Sequence, residues 1–154
     1  MSGYLFNPRH LDYSELSSKE QENVNVTRLL AALAERGIEG FRVNNDKHCA
    51  DVVAHDPRSG QNLNLQVKGN RRVVVTEKYT GRGVWIVTWD PKRSAFFFYD
   101  HDLALAALKA TGRWMKKGQS GTSNGGFDRR LVELLETQAR GEWLFVQVHA
   151  HVVR

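Results

Sequence analysis

The sequence predicts an α/β domain in which a mixed central β-sheet is flanked by helices. Three observations support this fold class. Short apolar runs typical of strands recur along the chain, an amphipathic helix precedes them, and two helical segments separate most of them from a last strand. The predicted order is helix, three strands, further strands, helix, helix and strand, which is typical of a sheet packed between helices.

Size and composition fit one globular domain. The chain has 154 residues, of which 41% are hydrophobic and 25% charged. We expect residues 1–16 to form an N-terminal arm and residues 17–154 to form a single domain. No apolar run approaches the ~18–20 residues of a membrane span. The single cysteine, Cys49, fits a reducing compartment, so we expect a cytoplasmic protein without a membrane partner.

The first predicted helix follows Ser17 or Ser18 as its cap and runs to Arg36, with Gly37 as its stop signal. Its apolar face is formed by residues three or four positions apart, namely Val26, Leu29, Leu30 and Leu33.

Strands are expected next at 41–43, 49–54 and 63–69, with turn composition at 55–60 between the last two. A further extended piece is expected at 73–76.

Two more strands, at 83–89 and 94–99, are expected to pair through the turn between them. A helix over 103–109 follows, capped by Asp100 or Asp102.

The last part of the sequence begins with a stretch at 116–126 that has loop composition. A third helix is expected to start at Asp128 and end at Gly141. The alternating residues 143–153 predict the final strand.

Three polar residues stand out in the apolar strands: Asp51, Gln66 and Lys68. Such residues must be paired, solvated at a strand end or bound to a ligand. Gln66 and Lys68 share one side of their strand, because side chains alternate with a period of two. The Asp51 carboxylate, the Gln66 amide oxygen and the Val67 backbone carbonyl are hard donors that suit Mg²⁺. Together with Lys68 they suit metal-assisted phosphodiester hydrolysis. The alternative is an Asp51–Lys68 salt bridge across adjacent strands.

Glu22 is the candidate acid on the first helix. At 100° per residue it continues the apolar stripe by one turn toward the helix N-terminus, whereas Glu20 faces nearly the opposite way. The alternative is a carboxylate that only complements the helix dipole.

The fragment Ala50-Asp51-Val52-Val53, followed by Leu65-Gln66-Val67-Lys68 and preceded by a helix with an acidic residue, resembles the PD-(D/E)XK nuclease superfamily. This superfamily includes restriction endonucleases and archaeal-type Holliday junction resolvases. The resemblance covers roughly residues 17–90 and implies a restriction endonuclease-like core with a Mg²⁺ or Mn²⁺ cofactor.

The resemblance implies a role for each of three residues. Asp51 is then a metal ligand, Gln66 takes the place of the usual acidic ligand, and Lys68 is the motif lysine. The sequence departs from the superfamily in two ways. Gln66 leaves one fewer negative charge on the metal, and the helix acid commonly lies nearer the terminating glycine, where this chain has Val26.

The net charge of +5 is compatible with a polyanionic partner, and the cations are clustered. Solvated surface faces are the alternative for either cluster. If the clusters bind nucleic acid, the residues expected to contact DNA phosphates are Arg71, Arg72, Lys78, Arg82, Lys116 and Lys117.

The leading functional hypothesis is therefore a Mg²⁺-dependent endodeoxyribonuclease with Asp51, Gln66, Val67 and Glu22 around the cation. Branched or otherwise structured DNA is a candidate substrate. One alternative is a nucleic-acid-binding module of the same fold that has lost hydrolysis, which the glutamine favours. Another is a protein-interaction domain whose aromatics only fill a core. Many relatives of this fold dimerise to cut two strands, so the resemblance also allows a homodimer.

Overall fold

The computed structural model describes residues 12–44, 49–68, 77–90, 95–110 and 145–147. Within these residues six strands form one sheet in sequence order. The strands are β1 (Glu39–Arg42), β2 (Val52–Asp56), β3 (Gln61–Lys68), β4 (Val84–Asp90), β5 (Ala95–Asp100) and β6 (Phe145–Gln147). The β3–β4 pair is parallel and the other neighbouring pairs are antiparallel. The predicted mixed sheet is thereby confirmed.

Two helices accompany the sheet, α1 (Ser18–Ala34) and α2 (His101–Ala110), together with short 3-10 helices at Tyr13–Glu15 and Glu77–Tyr79. The helices therefore lie where the sequence placed them. Neither α1 nor α2, the helices of the described residues, is long and apolar enough to cross a membrane.

Helix α1 begins with a capping box. The Ser17 hydroxyl accepts from the Glu20 amide, and the Glu20 carboxylate accepts from the Ser17 amide at 2.8 Å. Glu20 is thereby committed to the helix end, which leaves Glu22 as the acid that faces inward. The helix ends at Ala34, and the chain turns away at Gly37, whose φ of 69° suits a residue without a side chain.

The sheet is buried on both faces by these helices. On one face the apolar stripe of α1, including Val26, Leu29 and Leu33, packs with alternate residues of β2 to β5. On the other face Ala104, Leu105 and Leu108 of α2 pack in a second cluster. The remaining members of that cluster are Cys49, Tyr79, Val84, Ile86 and Tyr99.

The β2–β3 hairpin differs from the sequence prediction at its ends. β2 starts at Val52 rather than Cys49, because Cys49 has a φ of 54° and turns the chain before the strand. β2 continues through His55 and Asp56, which were expected in the turn, because Asp56 pairs in register with Gln61.

Helix α2 is capped by Asp100, whose carboxylate accepts from the Leu103 amide at 2.9 Å. Residues 1–11 of the predicted arm (1–16), the extended piece at 73–76, the loop at 116–126 and the helix from Asp128 lie outside the described residues. The part of the arm that is described contacts α1, since Gln21 donates to the carbonyls of Tyr13 and Leu16.

Candidate functional site

Asp51 lies immediately before the start of β2, where β3 continues beyond its last pair with β2. Its backbone N–H donates to the carbonyl of Leu65, the register partner of Val52, at 2.8 Å. Two residues further along β3, the Val67 N–H donates to Asp51 Oδ2 at 2.8 Å. The carboxylate thus accepts the hydrogen bond of a buried backbone N–H next to the strand end. The position of the carboxylate is therefore determined by the backbone of the sheet.

The same oxygen accepts a second hydrogen bond. Gln66 Nε2 donates to Asp51 Oδ2 at 2.5 Å, and only 6% of the Gln66 residue surface is exposed. Oδ1 of Asp51 makes no hydrogen bond within the described residues. The N–H and C=O of one strand residue point the same way, so the Val67 carbonyl is directed toward the side of β3 on which Asp51 lies. Asp51, Gln66 and Val67 are therefore brought together as the sequence predicted.

Burial raises the pKa of Asp51 above its usual value. The Val67 N–H opposes this shift by stabilising the charged form, and the negative charge of Glu22 adds to it. Lys68 and Lys19 lower the pKa by smaller amounts. Asp51 is thus a carboxylate whose charge is not fully compensated by the protein around it.

Glu22 faces Asp51 across a cavity of about 260 Å³ between the start of α1 and the β1–β2 strands. The charged residues that line this cavity are Lys19, Glu22, Arg42 and Asp51. Glu22 forms an ion pair with Lys19 at 2.5 Å, and its side chain is 24% exposed. Glu22 therefore reaches the neighbourhood of Asp51 from α1, as its place on the apolar stripe predicted.

Lys68 is not one of the residues that line this cavity. Its Nζ is 3.3 Å from the Tyr79 hydroxyl and 5.6 Å from the centre of the Tyr79 ring. The backbone carbonyl of Lys68 accepts from Asn25 of α1 at 3.1 Å, which fixes the end of β3 against the helix. Asp51 makes no ion pair among the described residues, so the alternative of an Asp51–Lys68 salt bridge is wrong for this structure.

The donors present fit a magnesium-type ion. Among the described residues no group of three or more His, Cys, Asp or Glu side chains is placed to hold a metal. Mg²⁺, however, keeps several waters and is usually bound through one or two carboxylates plus substrate phosphates. Asp51, Glu22 and the Val67 carbonyl supply such a set. Gln66 joins it when its amide is reversed, since its nitrogen now faces Asp51.

The predicted DNA-binding residues are only partly described. Lys78 and Arg82 are exposed beside the Glu77–Tyr79 turn, and Lys78 Nζ lies 5.9 Å from the Tyr79 ring centre. Both therefore lie near the Lys68 side of the site. Arg71, Arg72, Lys116 and Lys117 lie outside the described residues, and their role stays a prediction.

Sequence reasoning missed four residues of this region: Lys19, Arg42, Tyr79 and Asn25. Two signals were available for the first two. Lys19 precedes Glu22 by three residues, the spacing of a helical ion pair. Arg42 ends the strand that pairs with β2, in register with Val52, directly after Asp51. Nothing in the local sequence pointed to Tyr79 or Asn25, because their contacts with Lys68 bridge 11 and 43 positions.

The raised pKa of Asp51 predicts a pH dependence of stability. Between the aspartate pKa of the unfolded chain and the raised folded value, the folded chain binds more protons, so its stability falls as pH rises through this window. Asp51→Asn should therefore be more stable than the parent near neutral pH, and this gain should shrink in acid. The gain is measured as the difference in urea unfolding midpoint between Asp51→Asn and the parent from about pH 3 to pH 8.

Asp56 provides a control of opposite sign. Its pKa is lowered, chiefly by the hydrogen bond from the Arg58 side chain. Ionised Asp56 stabilises the folded chain at pH values above its pKa in the unfolded chain. This stabilisation is lost as pH falls through its lowered pKa in the folded chain. Asp56→Asn should cost stability near neutral pH. A gain in Asp51→Asn that stayed constant across pH would contradict the assignment.

Comparisons with solved structures find a likeness of fold. No protein-family model and no curated protein matches the sequence. The crystal structure of Hjc from Archaeoglobus fulgidus, a Holliday junction resolvase from an archaeal hyperthermophile, is similar with a TM-score of 0.47 and 16% sequence identity. The similarity covers 72% of this chain and 86% of that one. At this level it identifies neither a family nor an activity for this chain.

Proposed function

We propose that this chain is a divalent-metal-dependent nuclease that hydrolyses phosphodiester bonds in DNA. The observation that carries the proposal is the state of Asp51. It is a half-buried carboxylate with a raised pKa, with one oxygen held by Val67 and Gln66 and the other unbonded within the described residues. A second carboxylate, Glu22, lies across the adjoining cavity. A poorly compensated carboxylate with a second carboxylate beside the same cavity favours a bound cation.

In this proposal Asp51 and Glu22 bind the cation, and the Val67 carbonyl and the Gln66 amide oxygen complete the protein ligands. When bound, a divalent ion lowers the pKa of a water molecule and stabilises negative charge on the phosphate. The Val67 N–H keeps Asp51 in one orientation. Lys68, whose Nζ lies 3.3 Å from the Tyr79 hydroxyl, supplies a positive charge that acts on Asp51. That charge stabilises the negative charge of the transition state.

The test is incubation of the protein with branched, duplex and single-stranded DNA in Mg²⁺ or Mn²⁺, and with a chelator. We expect strand cleavage only with the divalent ion, and a rise in melting temperature when the ion is added without DNA, since a ligand that binds the folded state stabilises it. Comparison of the three DNA forms gives the preference for branched substrate. Folded protein that cleaves none of the three with either ion would refute the proposal.

A second candidate function, a binding module of the same fold that does not cut, is favoured by one observation. Gln66 stands where the resembling nucleases commonly carry an acid, and its amide nitrogen neutralises part of the Asp51 charge by hydrogen bonding. A module of this kind would bind DNA in the chelator as well as in Mg²⁺ and would leave the strands intact. The same experiment therefore separates the two functions.

A further inference from the structure

The cavity between Glu22 and Asp51 has a cationic side that the proposed chemistry does not use. Lys19 on α1 and Arg42 at the end of β1 line it together with the two carboxylates. Neither residue belongs to the motif that the sequence resembles, and neither is in the clusters of cations recognised in the sequence.

Arg42 is held in place from α1. Its Nη2 donates to the Asn23 side chain at 2.7 Å, which ties the end of β1 to the helix. A guanidinium has five N–H donors in a rigid fork, and the others of Arg42 make no hydrogen bond within the described residues. A guanidinium that is fixed through one donor retains a planar face that suits phosphate oxygens.

Charge indicates the class of ligand. The two cations balance Glu22 and Asp51, so the lining side chains carry no net charge. A bound divalent ion would leave an excess of two positive charges in the cavity. A phosphodiester carries one negative charge and can contact both the ion and the cations, so it is the group that the loaded cavity suits.

We propose that Arg42, assisted by Lys19, binds the DNA phosphate that lies next to the candidate metal site, an inference that rests on the proposed nuclease function. Arg42 supplies the fixed part of this phosphate site. Lys19 supplies the adjustable part, because its side chain is 73% exposed and its ammonium has three donors, one of which is used by Glu22. DNA therefore enters from the α1–β1 side of the sheet end.

The experiment compares Arg42→Ala and Lys19→Ala with Arg58→Ala. Arg58→Ala is the matched control, because it removes the same charge from the β2–β3 turn. Arg58 pairs there with Asp56, at the end of β2 far from the cavity. DNA binding is measured by fluorescence anisotropy over a range of salt, with a chelator so that no cleavage intervenes. Single-turnover cleavage in Mg²⁺ is measured as a function of protein concentration.

Arg42→Ala should weaken DNA binding about tenfold, as expected for a lost charge-assisted hydrogen bond, and should reduce the salt slope by about one. Its half-saturating concentration in the cleavage assay should rise in parallel. Lys19→Ala should show the same change at smaller size, and Arg58→Ala should match the parent. A larger loss of DNA affinity in Lys19→Ala than in Arg42→Ala would overturn the assignment of Arg42 as the fixed part of the phosphate site.

The outcomes separate this inference from the nuclease proposal. If the parent cleaves DNA and Arg42→Ala behaves like Arg58→Ala, the phosphate site is refuted while the nuclease stands. If the parent binds without cleaving and Arg42→Ala is weakened while Arg58→Ala is not, the phosphate site stands and the nuclease falls. A parent that neither binds nor cleaves DNA refutes both.

Discussion

Asp51→Asn is expected to reduce cleavage by at least about 10²–10³, the loss typical when one positioned electrostatic group is removed from a reaction centre. The asparagine oxygen still accepts from the Val67 N–H, so the strand end keeps its hydrogen bond. What disappears is the negative charge that attracts the divalent ion. The stabilisation that Mg²⁺ or Mn²⁺ gives to the parent should therefore disappear as well.

Two measurements check this result, single-turnover cleavage and the shift of melting temperature with added ion. Because Asp51→Asn should fold at least as well as the parent near neutral pH, lost activity is not explained by lost structure. An Asp51→Asn protein that cleaves like the parent, or that keeps the full metal-induced shift, would contradict the metal-ligand role.

Lys68→Ala is expected to lower the cleavage rate by a similar factor, about 10²–10³, with little loss of stability. Lys68 makes no ion pair with Asp51, so its removal does not strand a buried carboxylate. The contacts it loses include those with the Tyr79 hydroxyl and ring, and a cation over an aromatic ring contributes about 0.5–1 kcal/mol at exposed sites. The rate should therefore fall far more than the melting temperature.

Lys78→Ala removes a second cation from the same Tyr79 ring, because Lys78 Nζ lies 5.9 Å from the ring centre. Its melting temperature is the reference for that of Lys68→Ala. A buried ion pair that loses one partner typically costs about 3–5 kcal/mol. A drop of that size in Lys68→Ala alone, with no cleavage ever seen in the parent, would restore a structural role for Lys68.

The sequence predicted the order of elements and the meeting of Asp51 with Gln66, because both depend on local signals. Apolar alternation predicted β2 and β3 as neighbours, and a side-chain period of two put Gln66 and Lys68 on one side. The strand boundaries were less accurate around Cys49, since a left-handed residue without glycine leaves no mark in composition. The contacts of Arg42 with Asn23 and of Lys68 with Tyr79 depend on how the elements pack.

The hydrogen bond from the Val67 N–H to Asp51 bears on how such a protein can diverge. The carboxylate takes its position from main-chain atoms, which every sequence with this strand pairing possesses. Apolar core residues can exchange for others of similar volume without moving it. A slip of one residue between β2 and β3 would instead move Asp51 to the opposite face of the sheet from Gln66. The candidate metal site would then be lost in a single step. Related chains should therefore keep the hairpin register long after their core residues have ceased to be alike.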